Sequence, residues 1–174
     1  VLAAGAVERP IVFGGNDRPG VMLASAVRTY VNRFRVAPAR RIALFTTCDD
    51  GWKTAFDLID AHVDVPAIVD ARRQIPTALE DQAARRGLRV MLGAQILDAR
   101  GAKGVSRIVV RDERGRTTRI ATDALAVAGG WNPNTALSTH LGGRPQWSDP
   151  LAAYVPADPP PGMTAVGAAA GELS

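Results

Sequence analysis

Arg41-Ile42-Ala43-Leu44-Phe45-Thr46-Thr47-Cys48-Asp49-Asp50-Gly51-Trp52 is the stretch that decides how this chain folds. Its first five residues form an apolar run short enough to be a buried strand, and it breaks into small and polar residues before helical spacing begins at Trp52. The pattern predicts a strand over 41–45, a helix from Trp52 to His62, and a second strand from Val63 to Val69 closed by Asp70. Arg41 to Asp70 therefore has the length and order of a βαβ unit.

A βαβ unit that grips a dinucleotide carries Gly-x-Gly-x-x-Gly after its first strand, for a tight turn, close approach to pyrophosphate, and close helix–strand packing. Here that place reads Thr46-Thr47-Cys48-Asp49-Asp50-Gly51, and only the third glycine survives. Asp70 stands nineteen residues beyond Gly51, where a ribose-binding acid is expected. Asp49 and Asp50 put carboxylates at the positive end of the helix, where they would repel a phosphate. The unit reads as a Rossmann-like scaffold without its phosphate cradle.

Outward from this unit, residues 7–20 are dense in Pro, Gly, Asn and Asp and read as a loop. Val21 to Phe34 follows with apolar residues at helical spacing, a helix ended by Pro38. Pro76 to Arg86 reads as a further helix stopped by Gly87, and Leu88–Leu92 as another parallel strand. Ala94–Arg100, Val105–Arg111 and Arg116–Thr122 are strand-length runs separated by glycine-containing turns, which predicts an antiparallel meander. Leu125-Ala126-Val127-Ala128-Gly129-Gly130 repeats the grammar of Val1-Leu2-Ala3-Ala4-Gly5-Ala6, and the two are expected to belong to one sheet. After Asn134 the chain is loop-rich, with Pro156 and Pro159–Pro161 as a stiff spacer. The expected class is α/β: a Rossmann-like parallel sheet with a three-stranded antiparallel meander, inserted in a partial second dinucleotide-binding domain. The expected divisions are 1–14, an edge strand of that truncated domain, 15–123, the inserted domain, and 124–174, the return segment. Val1 is not Met and lies inside a strand-like run, so the chain reads as a piece of a longer one.

Composition narrows the function. The 174 residues are 47% apolar, yet no run approaches the length needed to span a bilayer. The net charge is +4, but Lys53 and Lys103 are the only lysines and the arginines are spread among acids, so no nucleic-acid role is expected. Cys48 is alone, which excludes an internal disulfide or a paired redox motif and suggests a reducing, cytoplasmic setting. It reads as a packing residue, His62 as a surface residue at a helix end, and His140 has no carboxylate or serine at a telling spacing. No metal-ligand spacing occurs, and no catalytic residue is assigned.

The small-residue motifs resemble those of the glutathione-reductase-like flavoproteins. Val1 to Pro10 is similar to their Ala-Thr-Gly motif, Ala128-Gly129-Gly130-Trp131-Asn132-Pro133-Asn134 to their Gly-x-x-Pro-Asn motif, and Gly162 to Gly171 to their last motif, with Ala168 where that family has Asp. Together with Glu8-Arg9-Pro10-Ile11-Val12-Phe13 and Asn16-Asp17-Arg18-Pro19-Gly20-Val21-Met22-Leu23, the chain resembles the alpha subunits of heterotetrameric sarcosine oxidases. That resemblance implies an assembly with a beta subunit that oxidises sarcosine to glycine, hydrogen peroxide and a one-carbon unit for tetrahydrofolate. It implies FAD and FMN in the complex and NAD in the alpha subunit. It further implies Gly167, Ala168 and Leu173 as NAD-lining, with Ala4 and Gly5 as backbone neighbours. The alternatives are the alpha subunit of a related amine, opine or hydroxyproline dehydrogenase, and a non-catalytic subunit-interaction domain.

Overall fold

The computed structural model describes residues 1–173, in two compact units: Pro10–Gly130, and Val1–Arg9 with Trp131–Ser174, of which Ser174 lies outside the described residues. In chain order the elements are β1 (Ala6–Glu8), β2 (Val21–Leu23), α1 (Ala24–Phe34), β3 (Ile42–Thr46), α2 (Asp49–Asp60), β4 (Ile68–Asp70), α3 (Thr77–Arg85) and β5 (Val90–Leu92). They continue with β6 (Gln95–Arg100), β7 (Arg107–Arg111), β8 (Thr117–Ala121), β9 (Ala124–Ala128), β10 (Trp131–Pro133), α4 (Ala136–His140), β11 (Arg144–Ser148) and β12 (Ala153–Asp158).

The larger unit is built on a five-stranded sheet in the order β2-β9-β3-β4-β5, with every pairing parallel. β3 and β9 are buried along their whole length, as central parallel strands covered on both faces must be. Alternation splits their side chains. Ile42, Leu44, Ala124, Ala126 and Ala128 join Val27 and Val31 of α1 and Trp52, Ala55 and Leu58 of α2 in one core. Ala43, Phe45, Leu125 and Val127 face the other way, onto Ile96, Ala99, Ile108, Val110 and Ile120 of the antiparallel β6-β7-β8 meander. Helices, parallel sheet and meander thus make three layers around two cores.

Several boundaries differ from the periodicity reading. Val21–Leu23 is a strand and not the first turn of a helix, because its backbone pairs with Leu125–Val127. A short apolar run satisfies both periods, and the long-range ladder decides. α1 then closes at Phe34, ahead of Pro38, through a left-handed Arg35 whose N–H bonds the Val31 carbonyl at 3.2 Å. The strand expected over Val63–Val69 shrinks to Ile68–Asp70, and Pro66 within that span has no N–H to give a ladder. α2 begins at Asp49, three residues before Trp52. β9, expected in the 124–174 return segment, lies between β2 and β3 of the larger unit, whose limits are 10 and 130 in place of 15 and 123.

In the smaller unit β1 pairs antiparallel with β10, matching Ala6 to Pro133 and Glu8 to Trp131. The region expected to be loop holds a hairpin, β11 with β12, on which Trp147 and Tyr154 meet edge to face at 5.3 Å. Leu2 bridges Ala165 in parallel, its N–H bonding the Thr164 carbonyl at 2.7 Å.

The one surviving glycine of the fingerprint has a packing reason. A Cβ at Gly51 would collide with the side chain of Thr46, which is fully buried beneath the first turn of α2. Gly51→Ala should therefore lower the stability of the chain by about 1–3 kcal/mol, the usual cost of overpacking. Thr46→Ala in the same background should return part of that loss, as read by urea denaturation.

Candidate functional site

The carboxyl ends of β3 and β4 and the start of α2 enclose the place where an open parallel sheet would receive a dinucleotide. Three observations show it filled by the protein's own groups. The Thr46 hydroxyl accepts the Cys48 N–H at 3.1 Å and donates to the Cys48 carbonyl at 2.7 Å. A backbone donor of the turn that would face a phosphate is thereby spent.

Second, Asp70 is fully buried and its carboxylate is saturated. Oδ2 accepts from Trp52 Nε1 at 2.7 Å and from Arg72 Nη2 at 2.8 Å. Oδ1 accepts the Arg72 backbone N–H at 2.9 Å and Arg72 Nε at 3.2 Å, so four donors meet the two oxygens and neither is left for a ribose. Third, Arg72 reaches across to Asp49 Oδ1 at 2.8 Å, drawing the first turn of α2 onto the end of β4. Burial lowers the affinity of Arg72 for its proton, but hydrogen bonds and charge from Asp70 and Asp49 outweigh it and raise its pKa. Asp50, next in the turn, pairs with Lys53 at 2.9 Å.

The neighbouring candidates are quiet. Cys48 is half-buried against the helical core, and exposed His62 has a left-handed backbone at the end of α2. Among the described residues no three His, Cys, Asp or Glu side chains come together to hold a metal, and no helix is long and apolar enough to cross a membrane. Trp52 and Arg72, which sequence reading did not single out, complete the closed site. Their signal was an arginine two residues past the strand-end acid, a spacing that lets one side chain chelate the carboxylate its own backbone already caps.

The residues implied as NAD-lining lie in the smaller unit. The parallel Leu2–Ala165 bridge sets the two segments side by side and running the same way. Ala4 and Gly5 follow Leu2, while Gly167 and Ala168 follow Ala165 and open a single 3-10 turn over Gly167–Ala170. Gly5 has φ of 71° and Gly167 of 61°, and at neither would a Cβ meet another atom within 4 Å. Ala168 and Leu173 are half-buried and Ala4 is exposed. An open cleft of about 640 Å³ in the same unit is lined by Val7, Asn132, Pro133, His140, Pro145 and Tyr154, and by none of these five. His140 has no carboxylate bonded to it there among the described residues.

Removing one member of the buried network strands the others. Asp70→Ala should cost about 3 kcal/mol, leaving Trp52 Nε1 without an acceptor and Arg72 without its buried counter-charge. Asp70→Ala combined with Arg72→Met should cost less than the sum of the two single changes, measured by chemical denaturation.

No protein-family model matches the chain. It is 48% identical over 170 residues to the sarcosine oxidase alpha subunit of Rhizobium meliloti strain 1021, covering 98% of this chain and 17% of that one. It is 39% identical over 180 residues to the sarcosine oxidase alpha subunit of Corynebacterium sp. strain U-96, covering 99% and 18%. An opine oxidase subunit of Agrobacterium tumefaciens strain Ach5 is 26% identical over 94% of this chain and 36% of its own length. Among solved structures, T. acidophilum thioredoxin reductase superposes with a TM-score of 0.74 at 17% identity, covering 96% of this chain and 56% of that one. L-proline dehydrogenase from P. horikoshii gives 0.70 at 21% identity, covering 97% and 29%. These two share the fold, the α/β arrangement of parallel sheet and meander. The chain spans less than a fifth of the sarcosine oxidase alpha subunits it matches, and nearly its whole length is similar to a segment of them.

Proposed function

We propose that this chain works within the alpha subunit of a hetero-oligomeric sarcosine oxidase, which with a beta subunit demethylates sarcosine to glycine. Hydrogen peroxide and a one-carbon unit for tetrahydrofolate are the other products, and the setting is cytoplasmic. The observation that carries the reading is 48% identity along nearly the entire chain. FAD and FMN belong to the assembled enzyme in this reading, and supply its electron transfer when bound.

Within the assembly the two units have different tasks. The larger one is scaffold: with the Cys48 N–H spent, Asp49 at the helix start and Asp70 saturated, its residues do not fit a dinucleotide. The smaller one contributes to the NAD site. The backbone at Gly5 and Gly167 faces open space, so a flat or phosphorylated group can approach it closely, and Ala168 brings no carboxylate to oppose a phosphate. Ala4, Gly5, Gly167, Ala168 and Leu173 are the residues assigned to that lining, which the remaining length of the subunit completes.

The similarity to an opine oxidase subunit supports a second reading, the same architecture serving another secondary amine. Sarcosine-dependent peroxide formation by the assembled enzyme decides between them: its absence, with turnover of an opine, overturns the first. Calorimetric titration of NAD into the 174-residue chain alone should be silent, and micromolar binding would contradict the scaffold assignment. In the full subunit, Ala168→Asp should lower co-purifying NAD several-fold, measured by release and enzymatic assay, while leaving the melting temperature of the chain unchanged.

A further inference from the structure

Arginines dispersed in the sequence converge on one surface. The meander buries Ile96, Ala99, Ile108, Val110 and Ile120 against the parallel sheet, so the alternate residues of its strands point outward. Its ladder sets Arg107 between Arg100 and Ala121, Arg111 between Gln95 and Thr117, and Val109 between Asp98 and Arg119. Arg100, Arg107, Arg111 and Arg119 are exposed on this face. Against four guanidinium groups stands one carboxylate, Asp98, which holds Arg100 at 2.6 Å. At the adjoining turn Asp112 and Glu113 are engaged by Arg116 and Arg73.

Elsewhere several arginines have carboxylate partners, as Arg28 has Asp57, Arg72 has Asp70 and Arg86 has Asp60. Among the described residues no carboxylate pairs with Arg107, Arg111 or Arg119, and Arg111 donates only to Gln95 Oε1, at 3.1 Å. Arg100 and Arg107 lie directly opposite on neighbouring strands, an arrangement that costs the isolated fold stability. Planar guanidinium forks suit carboxylates, and complementary charge of this kind fixes register and speeds encounter between proteins. Three strands span only about 10 Å across, too little to follow a nucleic-acid backbone. The face carries no aromatic side chain on which a base could stack.

We propose that the outer face of the meander docks an acidic surface of another subunit of the assembled oxidase, with Arg107, Arg111 and Arg119 engaging its carboxylates. The inference rests on the reading of the chain as part of an alpha subunit. The test is co-expression of the full-length tagged alpha subunit with its partner subunits, comparing wild type with Arg107→Glu/Arg119→Glu and with Arg107→Gln/Arg119→Gln. Arg85→Glu, an exposed site on α3, is the control. At about 0.15 M salt the reversed pair should retain the partner subunits about tenfold less than wild type, and the neutral pair should fall between. Arg85→Glu should match wild type, and no variant should melt below wild type. Wild-type retention by the reversed pair overturns the proposal, as does a loss confined to a variant that melts early while the neutral pair retains its partners. Binding of duplex DNA that the reversal abolishes with subunit retention intact also overturns it, in favour of nucleic acid. If wild-type alpha subunit retains no partner and forms no peroxide from sarcosine, the functional reading fails and takes the proposal with it. If wild type and the reversed pair assemble and turn over alike, the docking proposal alone fails.

Discussion

A single carboxylate, that of Asp70, ties the parallel sheet to the helix in front of it. Placing a fully buried acid at a strand end is expensive unless every oxygen is met, and here Trp52 approaches from α2 and Arg72 from the residue after next. Because Arg72 also holds Asp49, the acid, the arginine and the helix start form one connected unit rather than three separate contacts. The position of α2 over β3 and β4, and so the shape of the larger core, follows from it.

That arrangement explains how a dinucleotide-binding outline persists without the ligand. In a working site the glycines, the helix start and the ribose acid are held open for a cofactor that supplies their missing partners. In this chain each has been given an internal partner: Thr46 for the turn, Arg72 for both acids, and the Thr46–Gly51 contact for the helix. The interactions that a bound nucleotide would have contributed to stability are built in permanently.

The βαβ unit, the meander and the lost cradle were legible in the sequence because each is written in local spacing. What could not be read were the outcomes of long-range pairing. Val21–Leu23 fits a helix by period and a strand only once Leu125–Val127 lies beside it. The hairpin of β11 and β12 was hidden by Pro145 and Pro156, which pair with each other across the ladder near its bulged end, where lost donors do least harm. The role of Asp70 was half visible: its position was apparent from the motif, while its partners depended on Trp52 being turned inward. Arginines that look evenly scattered along the chain are gathered by strand alternation, which a count of charge along the sequence does not follow.

The strand order of the larger unit also governs when that unit can form. β9 sits beside β3, although Thr46 and Ala128, which lie opposite each other at the strand ends, are 82 residues apart. The β3-α2-β4 portion can assemble from neighbouring chain, but β2 has only β9 to pair with in its sheet and stays unsupported until the meander is complete. Closing so long a loop is an entropic cost met late, which makes the unit slow to finish for its size. On the ribosome, the apolar edges of β2 and β3 would wait exposed until Ala128 emerges.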